Sequence, residues 1–346
     1  MPPPTPDEQI QFLANLQRLL GEGQFVASYK FALLLSLADL SVEKGDDSGS
    51  ALTLDTDEIG EKFVHYYWRQ AAPYAAGPKA RVLQQNTGKQ AAVVNIVEAA
   101  RQRHGDSLAS VMKQAAVGRQ LCREVAQVVR TMPLWKLQTV GQERLDFLYE
   151  NTGAGNTIEL RPGVAYCFRR FHALIADLVR GAWVRYVRQL NLDILGENVD
   201  LDEFLFGSER AALAVVRPVL IDLQERRCFY CNERLSPAST HVDHFIPWAR
   251  YPLDLGHNFV LADRRCNSQK RDRLPAHNYL AAWTERNRQY GDQIGTAMEE
   301  RGVVSDLAAS NRVAQWAYAQ AESAGGLTWL RADELVPLAV GWRSLF

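Results

Sequence analysis

The chain has 346 residues, 47% of them hydrophobic, and a formal net charge of −1. That length supports a substantial core divided over two or three domains, while the balanced charge lacks the overall basic footprint usual in a nucleic-acid binder. The longest strongly apolar run, Phe31 to Leu37, falls far short of the roughly 18 to 20 residues that cross a bilayer, and Met1-Pro-Pro-Pro carries no signal-peptide pattern. No membrane segment and a cytoplasmic location are therefore expected.

In chain order, Pro-rich residues 1 to 6 are expected to be disordered. Apolar positions at helical spacing follow through Ile10, Phe12, Leu16 and Leu20. A second helix is predicted over Tyr29 to Glu43, ended by Lys44-Gly-Asp-Asp-Ser-Gly-Ser, and a third over Thr56 to Gln70, before the breaker-rich stretch 71 to 78. Two or three helices fill residues 89 to 131. Alternation from Arg144, and Thr157-Ile-Glu-Leu-Arg with Pro162-Gly163 and Val164-Ala-Tyr-Cys-Phe, predict a small sheet containing a hairpin. A long helix from Arg169 to about Asn191, an acidic linker over 196 to 203, and a helical approach over 208 to 227, broken or restarted at Pro218, come next. Beyond Pro275, two helices cover roughly 276 to 300 and 305 to 323. Two glycine motifs are decoys for phosphate loops. Asn86-Thr87-Gly88-Lys89 is followed by Gln90 where Ser or Thr is required, and Gly153-Ala154-Gly155 lacks a third glycine.

Chemistry is concentrated late in the chain. Three of the five cysteines, Cys228, Cys231 and Cys266, and four of the seven histidines, His241, His244, His257 and His277, fall between 228 and 277. The odd cysteine count, scattered over a long chain, argues against a disulfide framework, and Cys122 and Cys167 read as buried thiols. Charge is also local. Six arginines stand against one acid from Arg161 to Arg188, and five Lys/Arg against one acid from Arg264 to Arg273. The first stretch is either a solvated face or a helix that tracks a phosphate backbone.

The central segment reads Cys228-Phe-Tyr-Cys231, His241-Val-Asp243-His244-Phe-Ile-Pro247, Asn258 and Asp263-Arg-Arg-Cys266-Asn267-Ser-Gln-Lys270. It resembles the HNH family of ββα-metal (His-Me finger) nucleases, in a zinc-knuckle form, over about 50 residues of the chain. His244 suits general-base work, because an imidazole with pKa about 6.5 is largely neutral at neutral pH; the resemblance makes it the base. Asp243 and Asn267 would hold one catalytic Mg²⁺ (or Mn²⁺) through hard oxygen ligands. Asn258, the middle asparagine, is implied as a support that positions the base.

Cys228, Cys231 and Cys266 supply three soft ligands for a structural Zn²⁺, with Asp263 either the fourth ligand or an N-cap. Lys270 and Arg271, one turn beyond Asn267, together with Arg264, Arg265 and His241, are the candidate nucleic-acid contacts. His257 and His277 read as structural.

The expected fold class is mainly α with a small β element and an embedded ββα-metal (HNH) nuclease module. The expected domains are 1–150, helical and a candidate for substrate sensing; 151–215, a hairpin plus a long basic helix; 216–278, the nuclease module; and 279–346, helical. The function implied is Mg²⁺-dependent cleavage of DNA, by nicking or double-strand scission, of bacterial restriction or phage-defence type, with a homodimer or a defence-system partner in view. The alternatives are an RNA-cleaving enzyme and a catalytically inactive, zinc-stabilised nucleic-acid-binding module.

Overall fold

The computed structural model describes residues 1–346 except 24, 75–79, 151–154, 196–199 and 208–209, and except the side chains of 210–212. Gly153 and the first half of the acidic linker, 196–199, lie outside the described residues. The chain forms two compact units, Met1–Gly207 and Ser208–Phe346.

The first unit is built around α2 (Tyr29–Lys44), buried from Tyr29 through Glu43. It follows α1 (Pro6–Glu22), where Thr5 and Glu8 form a reciprocal capping box and Pro6 stands in the first turn, where its missing N–H costs nothing. Residues 1 to 6 depart from the expected disorder. The Met1 ammonium donates to Ser50 Oγ, Gly49 N donates to Met1 O, and the Gln9 amide holds Pro4 O. Strand β1 (Leu52–Asp55) then leads into α3 (Thr56–Gln70), capped by Asp55. Three helices fill the next stretch: α4 (Ala92–His104), α5 (Leu108–Lys113) and α6 (Ala115–Thr131). A short α7 (Pro133–Lys136) precedes β2 (Thr139–Val140) and β3 (Glu143–Arg144), which pair antiparallel with each other.

The expected hairpin across Pro162-Gly163 is not formed. Strand β4 (Thr157–Leu160) pairs antiparallel with β1, Leu52 opposite Leu160 and Asp55 opposite Thr157, while Val164 to Phe168 belong to α8 (Val164–Arg170). Gly163, at φ 81, starts that helix instead of turning a hairpin, and Val164, Ala165, Cys167 and Phe168 lie on its buried side. The long basic helix is also divided, because α9 begins at His172 and runs to Leu190. Its charge is partly consumed within the unit. Arg169 is buried, donates to the carbonyls of Ser41 and Val42 and pairs with Asp47; Arg161 pairs with Glu150; Arg170 and Arg185 are exposed. The unit ends with α10 (Leu201–Phe206). At its centre the Trp183 ring packs against Phe31, Tyr66, Tyr67 and Phe206.

The second unit opens with α11 (Arg210–Leu223), which is continuous through Pro218. Pro218 and Ala214, the residue whose carbonyl loses its donor, are both exposed, so water satisfies what proline cannot. The hairpin of β5 (Thr240–His244) and β6 (Phe259–Asp263) is antiparallel, and α12 (Arg264–Lys270) packs on it. Two longer helices, α13 (His277–Glu299) and α14 (Leu307–Ser323), brace this module, and β7 (Leu327–Arg331) with β8 (Glu334–Pro337) forms a hairpin that the sequence reading did not anticipate. Trp329 on β7 exchanges backbone hydrogen bonds with Leu274 and Ala276, just past α12. The molecule is therefore mainly helical with small antiparallel strand pairs. Among the described residues no helix is long and apolar enough to cross a membrane.

Candidate active site

Strand, strand and helix position the expected site residues. His244 closes β5 directly opposite Phe259, and its ring is flanked by Phe259 at 4.9 Å and Trp248 at 5.3 Å. Its Nε2 lies 2.7 Å from Asp254 Oδ1. Asp254 was missed in the sequence, where only its place between His244 and Asn258, ten residues after the first and four before the second, distinguishes it from any loop acid.

Asn258 acts on the backbone beside the base. Its Oδ1 accepts from Ile246 N at 2.7 Å, its Nδ2 donates to Ile246 O at 3.0 Å, and its carbonyl accepts from Phe245 N. The chain leaving β5 is thus pinned two residues past His244. The adjoining turn is gripped in its own right by α13. The His257 carbonyl accepts from Trp283 Nε1 and from the guanidinium of buried Arg286, which also donates to Phe259 O. Gly256 is required here, since a Cβ would lie 2.7 Å from the Met298 side chain.

Asp243 is buried beside two donors. Tyr230 Oη donates to its Oδ2 at 2.5 Å, and Lys270 Nζ lies 3.1 Å from Oδ1 and 3.0 Å from Oδ2. Burial, reinforced by the Asp243 charge, holds the Tyr230 phenol well above its ordinary range, so it remains a donor. Lys270 also donates to His244 O at 2.7 Å and has no exposed surface, so it departs from the expected role as a phosphate contact. Asn267, one turn earlier and half-buried, lies on the same side of α12 as Lys270. Asp243 and Asn267 supply a carboxylate and an amide oxygen, the kind of donors a hard divalent ion takes, and the carboxylate keeps lone pairs beyond those bonded to Lys270 and Tyr230.

In the knuckle, the sulfurs of Cys228, Cys231 and Cys266 lie within 4.8 Å of one another. Three thiolates on one zinc stand about 3.8 Å apart, given Zn–S bonds of about 2.3 Å in a tetrahedron, so the set fits that ion. The turn between the first two closes through Asn232 N to Cys228 O, with Asn232 at φ 59. Backbone N–H groups of Tyr230 and Asp263 point to Cys228 Sγ at 3.4 and 3.2 Å. The neighbouring Cys266 thiol first, and then the N–H groups of Cys231, Asp263 and Tyr230, outweigh burial and pull the Cys228 thiol below its ordinary value. Of the two roles open to Asp263, the structure shows the cap. Its Oδ1 accepts from Arg265 N at 2.8 Å, and it does not join the sulfur cluster.

The remaining candidates are scattered around this frame. Arg264 and Arg265 are exposed at the start of α12, and Arg271 is exposed at its end. His241 is half-buried on β5, on the Asp243 side of the strand. Burial raises the thiols of Cys122 and Cys167, in the first unit, to about 12, which makes them inert.

A zinc-type knuckle whose third cysteine sits on the helix of a ββα unit, one residue before Asn267, is the architecture of an HNH module. Residues 228–276 accordingly match the HNH endonuclease family. Residues 9–205, more than half of the chain, match the family described as a domain of unknown function, DUF8808, and the chain belongs to that family. No curated protein and no solved structure matches it.

Proposed function

We propose that this protein is a divalent-metal-dependent endonuclease that hydrolyses phosphodiester bonds in DNA, in a bacterial restriction or phage-defence setting. The observation that carries the reading is the end of β5, where His244, 2.7 Å from Asp254, adjoins Asp243 within the residues that match the HNH endonuclease family. His244 takes the proton from a water whose oxygen bonds to phosphorus. The bond from phosphorus to the 3′ oxygen breaks, leaving a 5′-phosphate and, once the oxygen is protonated, a 3′-hydroxyl. A Mg²⁺ or Mn²⁺ ion held by Asp243 and Asn267 would supply a positive centre for the departing oxygen. Asn258 keeps the base in register, and Arg264, Arg265 and Arg271 are exposed where they can meet flanking phosphates. One such centre cuts one strand, so a single copy nicks and a double-strand break takes two copies or two events.

The test is cleavage of supercoiled plasmid, single-stranded DNA and RNA, with Mg²⁺ and without, by wild type and His244→Ala. We expect Mg²⁺-dependent nicking of the plasmid and a loss of about 10²- to 10⁴-fold in His244→Ala, the range a general base carries. Equal rates for the two proteins on every substrate would remove the catalytic reading, and cleavage confined to RNA would replace the substrate.

A further inference from the structure

We propose that Asp254 is a positioning residue for His244: its carboxylate selects the imidazole tautomer and ring orientation that present the Nδ1 lone pair to the attacking water. The inference rests on His244 being the base.

The contact is short and chemically one-sided. Nε2 and Asp254 Oδ1 are 2.7 Å apart, and a carboxylate at neutral pH accepts hydrogen bonds without donating them, so Nε2 carries the hydrogen. A neutral imidazole has one N–H. Fixing it on Nε2 leaves the lone pair on Nδ1, the nitrogen a base needs. Trp248 and Phe259 confine the ring on its flanks, but rings packed by rings do not distinguish one imidazole nitrogen from the other. The carboxylate makes that distinction.

Asp254 is also delivered by a built loop. Tyr251 N donates to Pro247 O, Leu253 N to Tyr251 O, and Leu255 N to Leu253 O, so the chain from Pro247 coils tightly. Gly256 N then anchors it to Val304 O, in the close packing against Met298 that excludes any larger residue. Asn258, four residues beyond Asp254, holds the strand end that carries His244. The base and its partner are therefore fixed to one frame from both sides, and the His244 and Asp254 side chains are only 10% and 23% exposed.

The test compares zinc-loaded wild type, Asp254→Ala and Asp254→Asn, with folding checked by zinc content and thermal melting. Histidine-selective ¹⁵N NMR above the ordinary histidine range, near pH 8, reads the tautomer of His244, assigned by its absence in His244→Ala. Wild type is expected in the Nε2–H form. Asp254→Ala should shift towards a mixture and lose roughly 10- to 100-fold in plasmid turnover, the range carried by residues that orient a reacting group from behind, with KM little changed. Asp254→Asn, whose amide oxygen can still accept from Nε2, should keep the tautomer and recover most of the rate. A His244 signal unchanged by Asp254→Ala overturns the proposal, whatever the cleavage rates. If instead His244→Ala cleaves like wild type, the base reading falls while the NMR comparison still decides whether Asp254 sets the tautomer.

Discussion

Lys270 shows what a spacing argument can and cannot decide. Three residues past Asn267, it shares that residue's helical face, and a cation beside a metal site invites a phosphate-binding role. But it also stands four residues past Cys266, whose sulfur is committed to the knuckle, and the turn of α12 that this fixes directs Lys270 into the sheet. Its ammonium, with no exposed surface, lies 3.0 Å from Asp243 Oδ2. Removing one member of a buried pair strands the other charge, at about 3–5 kcal/mol. A divalent ion held by Asp243 would be repelled by the ammonium, and would bind more weakly for it. We therefore expect Lys270→Met to melt at a lower temperature than wild type without added divalent ion, and to recover more than wild type does when Mn²⁺ is added. Equal Mn²⁺-induced shifts in the two proteins would show that Lys270 and the ion do not compete for the same carboxylate.

Between residue and module, α13 acts as the clamp on the turn that holds Asn258. Buried His257 lies at the join, its Nε2 3.0 Å from Gly291 O and its Nδ1 3.2 Å from Ser305 Oγ. Burial first, with a contribution from the nearby Arg286 charge, pushes its pKa below the ordinary 6.5. The unfolded chain therefore binds a proton near pH 6.5 that the folded chain refuses. Stability contributed by neutral His257 is full above that pH and is lost as pH falls towards the lower folded value, at no more than about 1.4 kcal/mol per pH unit for one proton. Denaturant midpoints followed from pH 7.5 to 5 (about one unit above and below the transition) should decline less steeply in His257→Gln than in wild type; parallel curves would place the acid sensitivity elsewhere. At this scale the sequence was most legible where local signals agree. Asp55 with Glu58 marks the start of α3, and the periodic runs beyond Pro275 mark α13 and α14. It was least legible where a partner is distant. Strand β4 pairs with β1 about a hundred residues earlier, and no turn near Pro162 could reveal that. The same limit hid Asp254, because a loop acid acquires meaning only when β6 returns alongside β5.

Each of the two units carries its own core. Among the described residues the hydrophobic cluster of the first runs from Phe12 to Leu205, and the second packs Phe245 on Trp283 and Tyr230 against Trp329 around its module. The net charge of −1 conceals this division, since the exposed arginines of α12 and the internally satisfied pairs of the first unit, such as Glu43 with Lys62, average together. The sequence of the first unit offers no motif that points to a ligand, and its buried charges are spent internally: Asp39 and Glu43 pair with His172 and Lys62, and Lys30 donates to the Thr139 carbonyl. The knuckle, by contrast, belongs to the second unit alone, and residues 228–235 form no helix or strand: they are held by Phe229 on Phe245, by Tyr230 on Trp329 and by the cysteine cluster. Metal binding should thus stabilise one unit only. Calorimetry is expected to resolve two transitions, of which a strong zinc chelator or Cys231→Ser lowers one and leaves the other in place, with near-stoichiometric zinc in the untreated protein. If chelation moves neither transition, the three thiols do not hold a structural metal. If it moves both together, the units unfold as one, and the stability of the helical domain depends on the same ion that shapes the nuclease module.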